Sequence, residues 1–134
     1  MTRLILSAIL LLSFSVPVLA LPPIGENSYI VESFVAGRAG DVIRKTCPSI
    51  SARMFVVYSE LKALERHARD QGYTEADFKA FRENKAEKDR IKAMAAKYLK
   101  AAGAVEGDAE TYCKVGRDEI AKASRMGKLL RSWK

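Results

Sequence analysis

The side chains that most often carry catalysis or bind metals are scarce in this chain of 134 residues. It contains one histidine, His67, and two cysteines, Cys47 and Cys113. His67 has no second histidine or cysteine at a spacing typical of metal ligands, so we interpret it as an exposed surface residue. The two cysteines lack the C-x-x-C spacing of a redox pair. The sequence therefore predicts no metal site, no cofactor and no catalytic residues.

Acidic residues are a second class of side chains that could bind a metal ion or catalyse a reaction. Three groups could bind Ca²⁺ or act as acid–base pairs: Glu26 with Glu32; Asp118 with Glu119; and Glu106, Asp108 and Glu110. The two pairs could hydrolyse a substrate only where the fold places them in a cleft. The third group lacks the terminal bidentate glutamate of a Ca²⁺ loop, and its central residue is better suited to cap a helix. An enzyme built from carboxylates and arginines on separate helices is an alternative, but the sequence favours a protein that is not an enzyme.

Residues 1–20 have the pattern of an export signal. Arg3 supplies the positive start, residues 4–14 are apolar except for two serines, and Pro17 precedes the small-residue site Val18-Leu19-Ala20. We predict cleavage between Ala20 and Leu21, which leaves residues 21–134 as a single periplasmic or secreted domain. An uncleaved anchor is disfavoured, because the apolar stretch barely reaches the ~20 residues of a spanning helix and contains a proline. We expect no transmembrane segment in the mature chain.

Export decides how the cysteines are interpreted, because the compartment beyond the membrane permits disulfides. With two cysteines in the mature chain, the one intramolecular pairing is Cys47 with Cys113. In the chain-entropy model, closing a loop of about 66 residues contributes roughly 4 kcal/mol. That contribution is comparable with the whole stability of a small domain. We predict a structural rather than a catalytic disulfide.

Apolar residues recur with a helical period along almost all of the mature chain. No stretch shows four or more clean alternations, as a half-buried strand would. The sequence predicts an all-α fold, a small bundle of about five helices tied by one disulfide. The first helix is expected over residues 27–45 and ends before the corner at Cys47-Pro48. The second is expected to carry an apolar stripe over residues 50–68, to stop at Gly72 and to form the centre of the core.

Polar residues with capping potential predict the remaining helices. Thr74 and Asn84 predict the starts of a short third helix and of a fourth. Asp108 predicts the start of a last helix that continues toward the C-terminus. Gly116 and Gly127 fall inside this last helix, where each costs roughly 1 kcal/mol relative to alanine. We therefore expect close packing against a neighbouring helix, or a kink, at these glycines.

The chain is basic, with 23 Lys and Arg against 16 Asp and Glu and a formal charge of +7, which becomes +6 without Arg3. Most basic residues are interspersed with acidic ones on predicted helix surfaces. No nucleic-acid-reading motif is present, so we expect no nucleic-acid partner. The dense basic stretch near the C-terminus predicts contacts with an envelope protein or an anionic envelope surface through Lys122, Arg125, Lys128 and Arg131. Cations at the end of a helix are, however, also expected from the helix dipole alone.

Several local motifs are distributed over most of the mature chain. They are Leu21-Pro22-Pro23, Glu26-Asn27-x-Tyr29-Ile30, Ile43-Arg44-Lys45-x-Cys47-Pro48-Ser49-Ile50-Ser51-Ala52-Arg53, Gln71-Gly72-Tyr73, Glu110-Thr111-Tyr112-Cys113 and Gly116-Arg117-x-Glu119-Ile120-Ala121. Together they resemble an uncharacterised domain family of small exported helical proteins from alphaproteobacteria. The resemblance implies a periplasmic domain with one disulfide, and it implies no activity.

Three functions fit these observations. The sequence favours a non-enzymatic periplasmic interaction module, because the chain is a small disulfide-tied helical domain without a chemical motif. The second is an acid- or stress-activated chaperone, since the chain is similar in broad design to small periplasmic chaperones that are helical, have one disulfide and are Lys-rich toward the C-terminus. The third is the enzyme with a carboxylate and arginine site.

The export signal and the disulfide give a first prediction. Protein recovered from the periplasm should begin at Leu21 and should have the mass of the chain minus two hydrogen atoms, because Cys47 and Cys113 are bonded. Intact mass spectrometry with and without reductant measures both properties. Free thiols on both cysteines, or retention of residues 1–20, would show the interpretation to be wrong.

Overall fold

A computed structural model describes residues 20–133. Within them lie a 3-10 turn (Ile24–Glu26), α1 (Ser28–Thr46), β1 (Ile50–Ala52), α2 (Met54–Asp70), α3 (Glu75–Glu83), α4 (Lys85–Ala101), α5 (Ala109–Ala121), a second 3-10 turn (Gly127–Leu129) and β2 (Leu130–Ser132). The predicted small all-α bundle of about five helices is confirmed. The predicted signal peptide lies outside the described residues, except for Ala20.

Side-chain caps fix the starts of four helices. The first-turn backbone N–H groups donate to side-chain oxygens of Asn27, Thr74, Asn84 and Asp108. At Thr74 the cap is reciprocal, because the Asp77 carboxylate also accepts from the Thr74 backbone N–H at 2.8 Å. Each cap satisfies a backbone donor that the helix itself leaves unpaired. The three predicted caps, at Thr74, Asn84 and Asp108, are confirmed.

The central helix is α1, which packs against both α4 and α5. Its first half contributes to a cluster rich in aromatic side chains, the aromatic core: Ile30, Val31, Leu64, Ala68, Tyr73, Phe78, Phe81 and Ile91. Its second half contributes to a cluster around the disulfide, the disulfide core: Ala39, Ile43, Cys47, Ile50, Ala95, Leu99, Ala104, Cys113, Val115, Met126 and Leu130. Because α1 contributes to both clusters, it contacts most of the other elements of the fold.

The prediction that the second helix forms the centre of the core is wrong. This helix begins at Met54 rather than Ile50, and its buried residues are Leu64 and Ala68, in its second half. The side chains of Met54, Phe55 and Tyr58 are 64%, 94% and 64% exposed. The apolar period of the sequence is helical as expected, but Met54 and Tyr58 of its stripe remain exposed.

The prediction of a last helix that reaches the C-terminus is also wrong. α5 ends at Ala121, and Ala123 adopts a left-handed conformation with φ of 49°. The backbone N–H of Ser124 then closes the helix end by donating to the carbonyl of Glu119 at 3.2 Å. The chain reverses there, and residues 130–132 pair antiparallel with residues 50–52. Three residues per strand are too few to produce an alternation that a sequence pattern could reveal.

Gly127 makes this reversal possible by lying directly against the end of α5. A Cβ atom at this position would overlap the carbonyl group of Glu119, and another at Gly116 would overlap Ile50 and come within 2.8 Å of Ile43. The expectation of close packing at both glycines is confirmed. Gly127, however, belongs to a 3-10 turn and not to a helix interior.

Substitution of Gly127 tests the reversal. We expect Gly127→Ala to lower the free energy of unfolding by about 3 kcal/mol, because the new methyl group meets backbone atoms that cannot rotate aside. Gly37→Ala is the matched control, since nothing lies within 4 Å of its added Cβ and it lies in the interior of α1. The control should gain roughly 0.5–1 kcal/mol. Urea denaturation followed by circular dichroism measures both, and an unchanged Gly127→Ala midpoint would contradict the packing.

Candidate binding groove

A groove with a volume of about 910 Å³ is open on one side of the fold. It is lined by α1, α2, residues 81–82 of α3, residues 88–92 of α4 and residues 125–129 of the C-terminal segment. Pockets that hold small molecules commonly have volumes of roughly 300–1,000 Å³. The groove is therefore large enough to accept most of a small ligand.

Apolar side chains from every contributing element line the groove. They are Phe34, Val57, Leu61, Leu64, Phe81, Ile91 and Leu129. The rings of Phe34 and Phe81 meet edge to face with centroids 5.4 Å apart, an arrangement that aromatic pairs prefer. Phe34 and Leu61 are only partly buried by the aromatic core. The groove thus exposes the outer surface of a packed core to solvent.

The charged side chains that line the groove are mainly positive. Six are basic, Arg38, Arg82, Lys88, Lys92, Arg125 and Lys128, and two are acidic, Glu60 and Asp89. Arg38 pairs with Asp41, and Asp89 pairs with Lys85. Within residues 20–133 the other five cations have no carboxylate within 4.0 Å. The groove therefore combines apolar surface with an excess of positive charge.

Arg125 is held in position by neutral groups rather than by a carboxylate. Its guanidinium Nη1 donates to the backbone carbonyl of Tyr29 at 3.0 Å and to the hydroxyl of Ser33. The guanidinium carbon also lies 4.4 Å from the centroid of the Tyr29 ring, a cation–π contact.

His67 packs against the same tyrosine, with the centroids of the His67 and Tyr29 rings 4.5 Å apart. His67 is half-buried, so the expectation of an exposed histidine is wrong.

The four basic residues predicted to contact an anionic surface do not lie on one helix stripe, because α5 ends at Ala121. Arg125 and Lys128 line the groove. Lys122 lies beyond the end of α5, 3.6 Å from the Glu119 carboxylate. Arg131 belongs to β2, where it donates to the Ser51 hydroxyl at 3.0 Å and covers the ring of Trp133. The structure brings two of the four together at one site.

The acidic candidates have other roles. Asp118 pairs with Lys114 at 2.7 Å on the surface of α5, whereas its neighbour Glu119 is 4% exposed. Asp108 caps α5 and Glu110 pairs with Arg117. Glu26, Glu32 and Glu106 are exposed and lie outside the groove lining. Among residues 20–133, no three side chains of metal-ligating type form a cluster.

Glu119 is a buried carboxylate that sequence reasoning treated only as half of a pair. Its Oε2 atom is buried and has no hydrogen-bond partner within the described residues. Burial, together with the adjacent Glu119 carboxylate, raises the pKa of the Tyr98 hydroxyl above 10.0. The helical period of α5 could have predicted its burial, because Glu119 lies one turn after Val115 and Gly116, which are both buried.

The predicted disulfide between Cys47 and Cys113 is confirmed. It joins the residue after α1 to the first half of α5, with Cα atoms 5.1 Å apart. The two residues are 0% and 4% exposed. Burial removes the bond from solvent-borne thiols, which is typical of a structural rather than a redox-active disulfide.

In residues 20–133, none of the helices has the length and apolar content that crossing a membrane requires.

Asp41 organises a cluster of charges on α1, of which Arg38 lines the groove. Its carboxylate lies 3.3 Å from Arg38, 2.6 Å from Arg44 and 2.7 Å from Lys45. Burial opposes the ionisation of Asp41, but the hydrogen bond from Lys45 and the charge of Arg44 outweigh it and lower its pKa below 3.8. A carboxyl group with a lowered pKa stabilises the folded state only while it is ionised.

The stabilisation by Asp41 should therefore depend on pH. We expect Asp41→Asn to lower the free energy of unfolding by about 1 kcal/mol near neutral pH, as the ion pairs are lost. The difference from wild type should be complete above the unfolded pKa of 3.8 and should shrink as the pH falls through the lower folded value. Urea denaturation between pH 7 and pH 2 measures it. A difference that stays constant over this range would contradict the assignment.

Comparison with known proteins is consistent with a domain that spans most of the chain. The model of a family of unknown function, DUF5333, matches residues 22–131. No curated protein and no solved structure matches the chain. The matched range includes both cysteines and every residue that lines the groove. The chain therefore belongs to DUF5333, a family of unknown function.

Proposed function

We propose that this protein is a periplasmic binding protein without catalytic activity, and that its ligand occupies the groove. The observation that carries the proposal is the groove itself, in which apolar side chains packed against the core, such as Phe34 and Leu61, are partly open to solvent and surrounded by charges. Export is supported by the signal pattern in residues 1–20 and by the buried disulfide. We assign the protein to the envelope of an alphaproteobacterium on the basis of the sequence resemblance.

Binding of an apolar group would remove from water both the apolar surface of the ligand and the apolar surface of the groove. Apolar area that is transferred out of water contributes about 25 cal/mol per Å². Phe34 and Leu61 pack against the aromatic core, so the apolar area that they offer a ligand belongs to side chains that are already ordered. A ligand therefore does not need to order the walls of the groove, which lowers the entropic cost of binding.

The chemical character of the lining favours binding over catalysis. Ser33 donates its hydroxyl to the Tyr29 carbonyl at 2.7 Å and accepts from Arg125, so it has no base that could activate it. Asp89 is engaged by Lys85 at 2.6 Å. Glu60 is the other carboxylate that lines the groove, and one carboxylate without a second acid or base supports no paired hydrolytic mechanism.

A second candidate, the chaperone, is favoured by a different surface. Met54, Phe55 and Tyr58 form an exposed apolar face on the first two turns of α2, which an unfolded client could contact. We refer to these three residues as the α2 face. By contrast, Phe78 is buried and does not line the groove, so a client could reach it only after the fold had opened.

A substitution that fills the groove tests the proposed function. Gly37 lines the groove and has open space around it, so Gly37→Phe should place a ring in the groove without disturbing α1. We expect a neutral apolar fluorescent dye, N-phenyl-1-naphthylamine, to bind saturably to the wild type and at least about tenfold more weakly to this variant. Ala101→Phe is the matched control, because it adds the same side chain at an exposed position outside the groove.

The outcomes separate the two candidates. Dye binding that is equal in Gly37→Phe and Ala101→Phe, or absent from the wild type, would overturn the groove proposal. A chaperone that acts through the α2 face would suppress aggregation of an unfolded client equally well in both variants and would lose that activity in Phe55→Ser. Circular dichroism of each variant checks that the fold is retained.

A further inference from the structure

We propose that the ligand of the groove is a fatty acid anion, that is, an unbranched alkyl chain with a carboxylate at one end. This inference rests on the proposed function and adds the chemical class of the ligand. It also adds the place of the carboxylate, which lies at Arg125 and Lys128, while the chain extends over Phe34, Leu61 and Ile91.

The charge of the groove carries the first step. Six basic and two acidic side chains leave an excess of four positive charges around an apolar surface. The carboxylate of Asp89 is already neutralised by Lys85, whereas five of the six cations have no carboxylate partner within residues 20–133. Cations next to apolar surface attract an anion more strongly than cations in open water, because the local dielectric constant is lower. A neutral ligand would not use this charge, and a cationic ligand would be repelled.

The second step is the preorganisation of Arg125. Both of its hydrogen bonds, to Tyr29 and Ser33, use Nη1. Within the described residues, Nη2 and Nε are therefore available, and they form the two-pronged edge that binds both oxygens of a carboxylate. Because the guanidinium is already fixed over the Tyr29 ring, little side-chain entropy is lost when the anion binds.

Lys128 is a second cation that lines the groove. It follows Arg125 by three residues in the C-terminal segment, and its backbone carbonyl accepts a hydrogen bond from Arg53 at 3.3 Å. Its side chain is exposed and makes no ion pair within residues 20–133. The backbone around Lys128 is thus anchored independently of its charge, so that charge can be changed without altering the fold.

The third step is the shape of the apolar surface. The groove takes apolar residues from four helices, with Phe34 on α1, Leu61 on α2, Phe81 on α3 and Ile91 on α4, and Leu129 from the C-terminal segment. A surface of this kind, longer than one side chain, suits an extended alkyl chain, which gains about 0.8 kcal/mol for each buried CH₂ group. A charged head at one end then fixes the direction of the chain.

Ligands with the same alkyl chain and different heads test this inference. The probes are dodecanoate, its methyl ester and dodecylammonium. Each probe is used to displace N-phenyl-1-naphthylamine from the wild-type protein, at probe concentrations below those at which the probe forms micelles. We expect dodecanoate to bind about tenfold more tightly than the neutral ester and dodecylammonium to bind most weakly. Added salt should weaken dodecanoate and leave the ester unchanged.

A pair of charge-reversal variants tests the place of the carboxylate. Lys128→Glu should abolish the preference for dodecanoate over its ester. Lys97→Glu is the matched control, because it makes the same change in net charge on an exposed residue of α4 outside the groove, and it should change the preference by less than about twofold. An unchanged preference in Lys128→Glu would overturn the placement.

The remaining outcomes distinguish this inference from the proposed function. Equal affinity for dodecanoate and its ester would overturn the fatty acid proposal, while dye binding that Gly37→Phe abolishes would still support a binding groove. Tighter binding of dodecyl phosphate than of dodecanoate would overturn the carboxylate head in favour of a phosphate. Failure of the dye to bind the wild type would overturn both.

Discussion

The bond between Cys47 and Cys113 is the constraint on which the rest of this fold depends. It fixes the end of α1 against α5 inside the disulfide core. β1 begins three residues after Cys47, and β2 pairs with β1, so the position of the C-terminal segment follows from the same bond. That segment carries Arg125 and Lys128 to the groove. A cross-link between residues that do not line the groove therefore helps to position two of its cations.

The reversal after α5 brings the C-terminal segment to the groove. Gly127 allows the chain to pass against the carbonyl of Glu119, which turns residues 125–129 toward α1 and α2. A helix that continued to the C-terminus, as the amino-acid pattern suggests, would carry these residues away from Tyr29 and Ser33. The cations would then form an ordinary solvated helix end. In the observed fold they lie next to apolar surface instead, and this arrangement is the basis of the proposed preference for an anionic ligand.

The features that sequence predicted are those with local or compositional causes. Thr74, Asn84 and Asp108 act within their own first helical turns, and a chain with two cysteines has one possible intramolecular pairing. The strands, the end of α5 and the exposure of Phe55 depend instead on which distant segment covers which surface. Periodicity shows that a residue lies on an apolar stripe, but not whether another element packs against it. Charge alone makes Arg125 and Lys128 candidates for anion contact. Their place in a groove could not be predicted from the sequence, because the groove is formed from residues nearly 100 positions apart.

Amide chemical shifts of the ¹⁵N-labelled protein, recorded as dodecanoate is added, test most directly whether the groove is the binding site. We predict saturable shifts confined to residues that line it: Ser33, Phe34, Leu61, Ile91, Arg125 and Leu129. The amides of Met54, Phe55 and Tyr58 on the α2 face should remain unchanged. Shifts confined to the α2 face, or non-saturable shifts spread over the basic surface, would contradict a binding groove.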